Sequence, residues 1–201
     1  TIKKEDQDAA VDAVNNLPEG HSDRLRTGLV SIDATNGGIL ALYGGPDYLT
    51  DQVNSSTQAV AQAGSTYKPF ALIAGLEGGL TLSNSYDGSS PMQIGDGTFT
   101  NFQDAQYPRI NLIQATTDSV NTAYVQLNRD VGPDATNEVA KRAGYPEETV
   151  GMDDSLQNVL GSASPHTLDI ASAYATFASQ GTRHDTHIVS TVSNSAGSVS
   201  Y

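Results

Sequence analysis

In the run QAGSTYKPF, residues 62 to 70, a serine and a lysine stand three positions apart. A serine hydroxyl is a weak nucleophile at neutral pH and needs a base within hydrogen-bond reach. Residues three apart on a helix share a face, so Lys68 is spaced to take the proton of Ser65. For that the amine must be largely neutral, which burial and a nearby positive potential would bring about. The free N–H groups and dipole of a helix start disfavour an ammonium and favour an oxyanion. Pro69 says where that start lies: inside a helix its ring would clash with the carbonyl of Ser65, so the helix must begin close to Ser65. Gly64 permits a tight entry. The same residues also describe an ordinary capping serine beside a solvated lysine, and the spacing alone does not choose. Downstream, Ser119-Val120-Asn121 offers a hydroxyl that can relay a proton and an amide that can donate and accept. By itself this reads equally as a cap and a solvated asparagine.

The elements that must position these groups can be read from periodicity. Apolar residues at 10, 11, 14 and 17 mark a helix that ends by Pro18 and Gly20. GLVSID and GILALYG are β-rich runs separated by Ala34-Thr35-Asn36-Gly37, a hairpin signal. A helix is expected from about Ser65 to Glu77, closed by Gly78-Gly79. Residues 81 to 109, rich in Gly, Ser, Asp, Asn and Pro, read as loops and turns, long enough to cover something. From Ile110 the pattern turns helical on both sides of Ser119. Further helices are expected around Ala135 to Ala143 and over TLDIASAYATFASQG. The tail HIVSTVSNSAGSVSY reads as a strand, an Asn-Ser-Ala-Gly turn and the beginning of another strand. The expected class is α+β: an antiparallel sheet flanked by helices, with an all-helical subdomain. The segments are 1–60 (entry helix and first hairpin), 61–180 (nucleophile helix and helical subdomain) and 181–201 (start of later strands), together the N-terminal portion of one domain.

Composition narrows the chemistry. Ten basic residues against 23 acidic ones give the 201-residue chain a net charge of −13, which repels nucleic acid, and the basic residues form no stripe. There is no cysteine, which removes disulfides and thiolate chemistry. No apolar run is long enough to span a membrane. His184 and His187 have metal-compatible spacing but only Asp185 nearby, so no metal is expected, and no cofactor is required. Asn54 and Asn101 read equally as turn residues or ligand contacts, and Tyr43 and Tyr67 as packing.

Ser-x-x-Lys followed by Ser-x-Asn gives two of the three parts of the signature of penicillin-binding proteins and β-lactamases. The run NSSTQAVAQAGSTYKPFALIAGLEGG resembles the nucleophile region of high-molecular-weight penicillin-binding proteins of class A, with Ala63 and Tyr67 where that family usually has proline and phenylalanine. TIKKEDQDAAVDAV, GLVSIDATNGGILALYGG, LIQATTDSVNTAYVQL and LGSASPHTLDIASAYATFASQG are similar to successive parts of the same transpeptidase domain, in collinear order. The resemblance implies acyl transfer through a Ser65 ester from a D-Ala-D-Ala stem peptide to an acceptor amine. Lys68 would be the base, Ser119 the proton relay and Asn121 the holder of the substrate amide, with β-lactams as covalent inhibitors. It also implies a site on the outer face of the cytoplasmic membrane, anchored by a segment outside this chain. The family's third element, Lys-Thr/Ser-Gly, has no counterpart after Asn121, where the only lysine is Lys141. Arg26-Thr27-Gly28 precedes Ser65 and reads as a strand entry. The missing element is therefore expected on a C-terminal remainder of the same domain, as another polypeptide or fragment. A serine β-lactamase and a non-catalytic penicillin-sensing or scaffold module are the alternatives, although no Glu-x-x-Leu-Asn segment supports the first.

Overall fold

The change of period after residue 28 is realised as a hairpin. In the computed structural model, which describes residues 2–22, 24–194 and 197–200, helix α1 (Lys4–Asn15) precedes strand β1 (Leu29–Ile32), which pairs antiparallel with β2 (Ile39–Tyr43). Asp33 closes the turn: its N–H donates to the Gly38 carbonyl (2.9 Å) and its carbonyl accepts from Gly37 N–H (2.8 Å). Of the Asn-Gly pair only Gly37 takes a left-handed φ, 82°, and Asn36 Oδ1 accepts from Gly38 N–H instead.

Beyond the hairpin a 3₁₀ turn (Gly64–Tyr67) runs directly into α2 (Lys68–Glu77). Residues 81 to 109, expected as loops, contain strands β3 (Ser85–Gly88), β4 (Met92–Ile94) and β5 (Gly97–Phe99), and β6 (Tyr107–Asn111) follows. β3 pairs with β6, Ser85 opposite Asn111, and β4 with β5, Met92 opposite Phe99. Runs of three to five residues are too short to display a period, and the β3–β6 partners are far apart in sequence, so local pattern could not reveal them. The helical pattern expected from Ile110 begins two residues later. Asn111 caps α3 (Leu112–Thr117) by accepting from Gln114 N–H at 2.9 Å. α4 (Asn121–Val131), α5 (Pro133–Ala143), a 3₁₀ turn (Leu156–Leu160) and α6 (Thr167–Ala178) follow, and then the β7 (Thr191–Asn194) and β8 (Gly197–Ser200) pair that the tail predicts. Two residues of its turn, 195 and 196, lie outside the described residues.

The chain forms two compact units. One comprises Thr1–Ala61, Ala143–Pro146 and Pro165–Tyr201. Here α1 packs on β2 and α6 on β1, and α6 is capped by His166, whose N–H donates to Asp169 Oδ2 at 2.9 Å. Arg26-Thr27-Gly28 leads into β1 without regular secondary structure, with Arg26 paired to Asp51. His187 bridges Gly37 and Ile39 through its backbone, and its Nδ1 lies 3.2 Å from the Asp185 carbonyl.

The other unit comprises Gln62–Arg142 and Glu147–Ser164. Ala71 of α2, Leu112 and Ala115 of α3, Ala123, Tyr124, Val125 and Leu127 of α4, and Val159 are sealed from solvent in one cluster. Each buried Leu- or Val-sized side chain in such a cluster contributes about 1.5–3 kcal/mol. The class is thus α+β, with helices around two-stranded antiparallel pairs among the described residues.

Candidate active site

Ser65 and Lys68 come together by a route slightly different from the expected one. The α-helix begins at Lys68, and Ser65 belongs to the 3₁₀ turn ahead of it. In a 3₁₀ turn residues three apart eclipse one another, so the two side chains stack more directly than an α-helix would allow. Pro69, in the first two positions of α2, has no N–H to leave unpaired there. Two glycines hold the turn. Gly64 takes φ 56° and donates its N–H to the Gly161 carbonyl at 3.2 Å, while a Cβ on Gly161 would lie 2.1 Å from the Gly64 backbone. Ala63 N–H adds a bond to the Ala163 carbonyl at 2.8 Å. Tyr67, expected to pack, is fully buried, and its hydroxyl donates to Asn137 Oδ1 at 2.8 Å.

Ser119 and Asn121 occupy the break between α3 and α4. Ser119 takes a left-handed φ of 55°. Its N–H donates to the Thr116 carbonyl (3.2 Å) and that of Val120 to the Ala115 carbonyl (2.9 Å), the Schellman closure of α3. That position normally belongs to glycine, and a side chain there costs about 1–2 kcal/mol. The closure brings Ser119 and the first residue of α4 to the amine of Lys68.

Lys68 Nζ is 3.1 Å from Ser65 Oγ, 2.8 Å from Ser119 Oγ, 2.6 Å from the Ser119 carbonyl and 2.7 Å from Asn121 Oδ1. The side chain is 3% exposed, whereas Ser65 and Ser119 are exposed. Burial pushes its pKa from the ordinary 10.5 down to about 8, and among the described residues no carboxylate pairs with it. Nζ also lies 5.6 Å from the centre of the Tyr124 ring. Asn121 Nδ2 donates to the Thr100 carbonyl at 2.9 Å, and since that carbonyl can only accept, the amide is oriented with Oδ1 towards Lys68.

Hydrogen-bond counting shows what this arrangement can do. Beyond its carbon, Nζ has three tetrahedral directions. Asn121 Oδ1 and the Ser119 carbonyl can only accept, so each takes an N–H. In the neutral amine the third direction is a lone pair, left to the two hydroxyls, Ser65 Oγ at 3.1 Å and Ser119 Oγ at 2.8 Å, either of which can donate to it. The Ser119 hydroxyl is close enough to receive a proton afterwards. The Ser65 N–H belongs to the first turn of the 3₁₀ segment, where backbone donors lack an intrahelical acceptor and can serve a developing oxyanion.

All four candidate residues therefore lie within one hydrogen-bonded cluster. His184, His187 and the Arg26-Thr27-Gly28 run belong to the other unit. Asn54 Oδ1 accepts from Ser56 and Thr57 N–H, an Asx turn. Asn101 proves to be buried beside α4, a placement the sequence left open.

Residues 27–200 match the model of the penicillin binding protein transpeptidase domain. Penicillin-binding protein 1A of Mycolicibacterium smegmatis is 36% identical over 212 residues, covering 99% of this chain and 26% of that protein. Penicillin-binding protein 1A of Mycobacterium tuberculosis is 35% identical over 214 residues, covering 99% of this chain and 25% of that protein. The structure of the PonA1 protein from Mycobacterium tuberculosis in complex with penicillin V superposes with a TM-score of 0.88 at 31% identity, over 98% of this chain and 55% of that one. The chain thus spans about a quarter of the length of the curated relatives it matches. The match over residues 27–200, carried by relatives along almost the whole chain, makes it a member of the penicillin-binding protein transpeptidase domain family.

Proposed function

We propose that this chain carries the nucleophilic half of a peptidoglycan D,D-transpeptidase site, with Ser65 as the acylated residue. The observation that supports it most is the single buried amine of Lys68 reaching Ser65 Oγ, Ser119 Oγ and Asn121 Oδ1 together. The lone pair of Lys68 takes the Ser65 proton as Oγ attacks the carbonyl of the penultimate D-Ala. The ammonium formed passes a proton through the Ser119 hydroxyl to the departing amine of the terminal D-Ala. Asn121 Nδ2 spends one N–H on Thr100 and has a second to offer the substrate amide. An acceptor amine then attacks the Ser65 ester, loses its proton by the reverse path and completes a cross-link.

The second oxyanion donor and the group that binds the substrate carboxylate belong, in this reading, to a Lys-Thr/Ser-Gly strand on polypeptide outside this chain. The enzyme works at the outer face of the cytoplasmic membrane, held by an anchor likewise outside it. Among the described residues no helix is long and apolar enough to cross a membrane. A β-lactam acylates the same serine, and with no Glu-x-x-Leu-Asn segment to activate water the ester is long-lived.

Labelling of the intact protein with a fluorescent penicillin tests the reading. Stoichiometric, persistent labelling that Ser65→Ala abolishes is the expected result. Labelling retained in Ser65→Ala overturns it, and turnover of penicillin at many cycles per second makes the site a β-lactamase instead.

A further inference from the structure

Val120 stands at the start of α4 and has no oxygen with which to cap the helix. The cap comes from Asn101, twenty-one residues earlier than Thr122, whose Oδ1 accepts from Thr122 N–H (3.1 Å) and from Thr122 Oγ1 (3.2 Å). Asn101 is 6% exposed and every polar atom of its side chain is engaged, because Nδ2 donates to the carbonyls of Gly88 (2.7 Å) and Ala105 (2.9 Å). Its backbone N–H is held as well, by Ser90 Oγ at 3.0 Å. The Ala105 carbonyl is turned back towards it by two consecutive left-handed residues, Gln103 (φ 54°) and Asp104 (φ 53°). Left-handed backbone at non-glycine residues costs about 1–2 kcal/mol each and persists where surrounding structure enforces it.

A saturated side chain of this kind has nothing left for a ligand. What it does instead is fix the segment that bears on the site from outside. The carbonyl immediately before it, Thr100, is the one that orients the Asn121 amide towards Lys68. We propose that Asn101 is a positioning residue for acylation: it locks the start of α4 and the Thr100 carbonyl together, and so fixes Asn121 and the Lys68 amine against Ser65. The inference rests on the reading of Ser65 as the acylated residue.

The test measures the first-order acylation rate and the initial binding constant for a fluorescent penicillin in the intact protein, for unsubstituted, Asn101→Ala, Asn121→Ala and doubly substituted forms. Asn101→Ala is expected to lower the acylation rate by about 10²-fold, the usual consequence of misplacing a reacting group by about 1 Å, with little change in initial binding. In the Asn121→Ala background the same change is expected to cost far less, because both act on one contact. Thr122→Val removes one of the two bonds to Asn101 Oδ1 and should show the same signature at about 3–10-fold, the worth of one hydrogen bond, so it decides the matter should Asn101→Ala fail to fold. Asn101→Ala labelled at the unsubstituted rate overturns the inference, as does a loss that simply multiplies with that of Asn121→Ala, which is the behaviour of a residue that only stabilises the fold. If the unsubstituted protein takes no label at Ser65, the functional reading itself falls.

Discussion

Lys68 is the base of the proposed mechanism, and its environment sets the pH dependence expected of it. Its amine is buried without a carboxylate partner, which holds the pKa at about 8. Acylation of Ser65 should therefore rise with pH and level off above about 8, measured as labelling rate against pH. Lys68→Arg, which stays charged, should abolish the rate at every pH. The sign of the linked stability follows: the folded state binds fewer protons than the unfolded chain between about pH 8 and the ordinary 10.5, so stability rises with pH across that window and the burial cost is fully present below it. A denaturant midpoint that fell between pH 8 and 10 would contradict this. Ser119→Ala should slow acylation by about 10²-fold or more through loss of the relay, with penicillin binding retained. At this scale the types and spacing of Ser65, Lys68, Ser119 and Asn121 were legible in the sequence, whereas the roles proposed for them came from the resemblance to the family and not from the spacing. The left-handed backbone of Ser119 and the remote cap from Asn101 were not legible, because both follow from where α3 stops and what β3 to β6 bring alongside.

Among the elements, the 3₁₀ turn and α4 carry the site. Gly161→Ala would drive a Cβ to 2.1 Å from the Gly64 backbone at a φ of 83°. It should destabilise by at least about 2 kcal/mol, read from chemical denaturation, and slow labelling in the fraction that remains folded. Leu127→Ala, in the sealed cluster under the site, should cost about 2–5 kcal/mol by cavity formation. Elements with several turns or a marked turn sequence were visible beforehand: α1, the β1–β2 hairpin, α5 and α6 all carry enough residues for a period to repeat. β3 to β6 were not, since strands of three to five residues broken by Gly and Pro have no period to show and their pairing is set by distant partners. The α2 start was read three residues early. Pro69 excluded a helix interior correctly but could not distinguish an α turn from a 3₁₀ turn ahead of it.

For the whole molecule, the assignment to the family came from collinear resemblance along the chain and from the match over residues 27–200. Composition gave only exclusions: a net charge of −13 speaks against nucleic-acid partners and says nothing of fold. If, as proposed, the Lys-Thr/Ser-Gly strand lies on polypeptide outside this chain, then residues 1–201 alone should label with penicillin far more slowly than a protein that carries that strand, and supplying it should restore the rate. A gel with fluorescent penicillin distinguishes the two. The backbone at residue 119 has one more consequence, for anyone evolving this protein towards heat resistance. A glycine there relaxes the turn, so a screen that rewards melting temperature alone will favour Ser119→Gly while it discards the hydroxyl, and hardiness and the proposed acyl transfer would part company at a single codon.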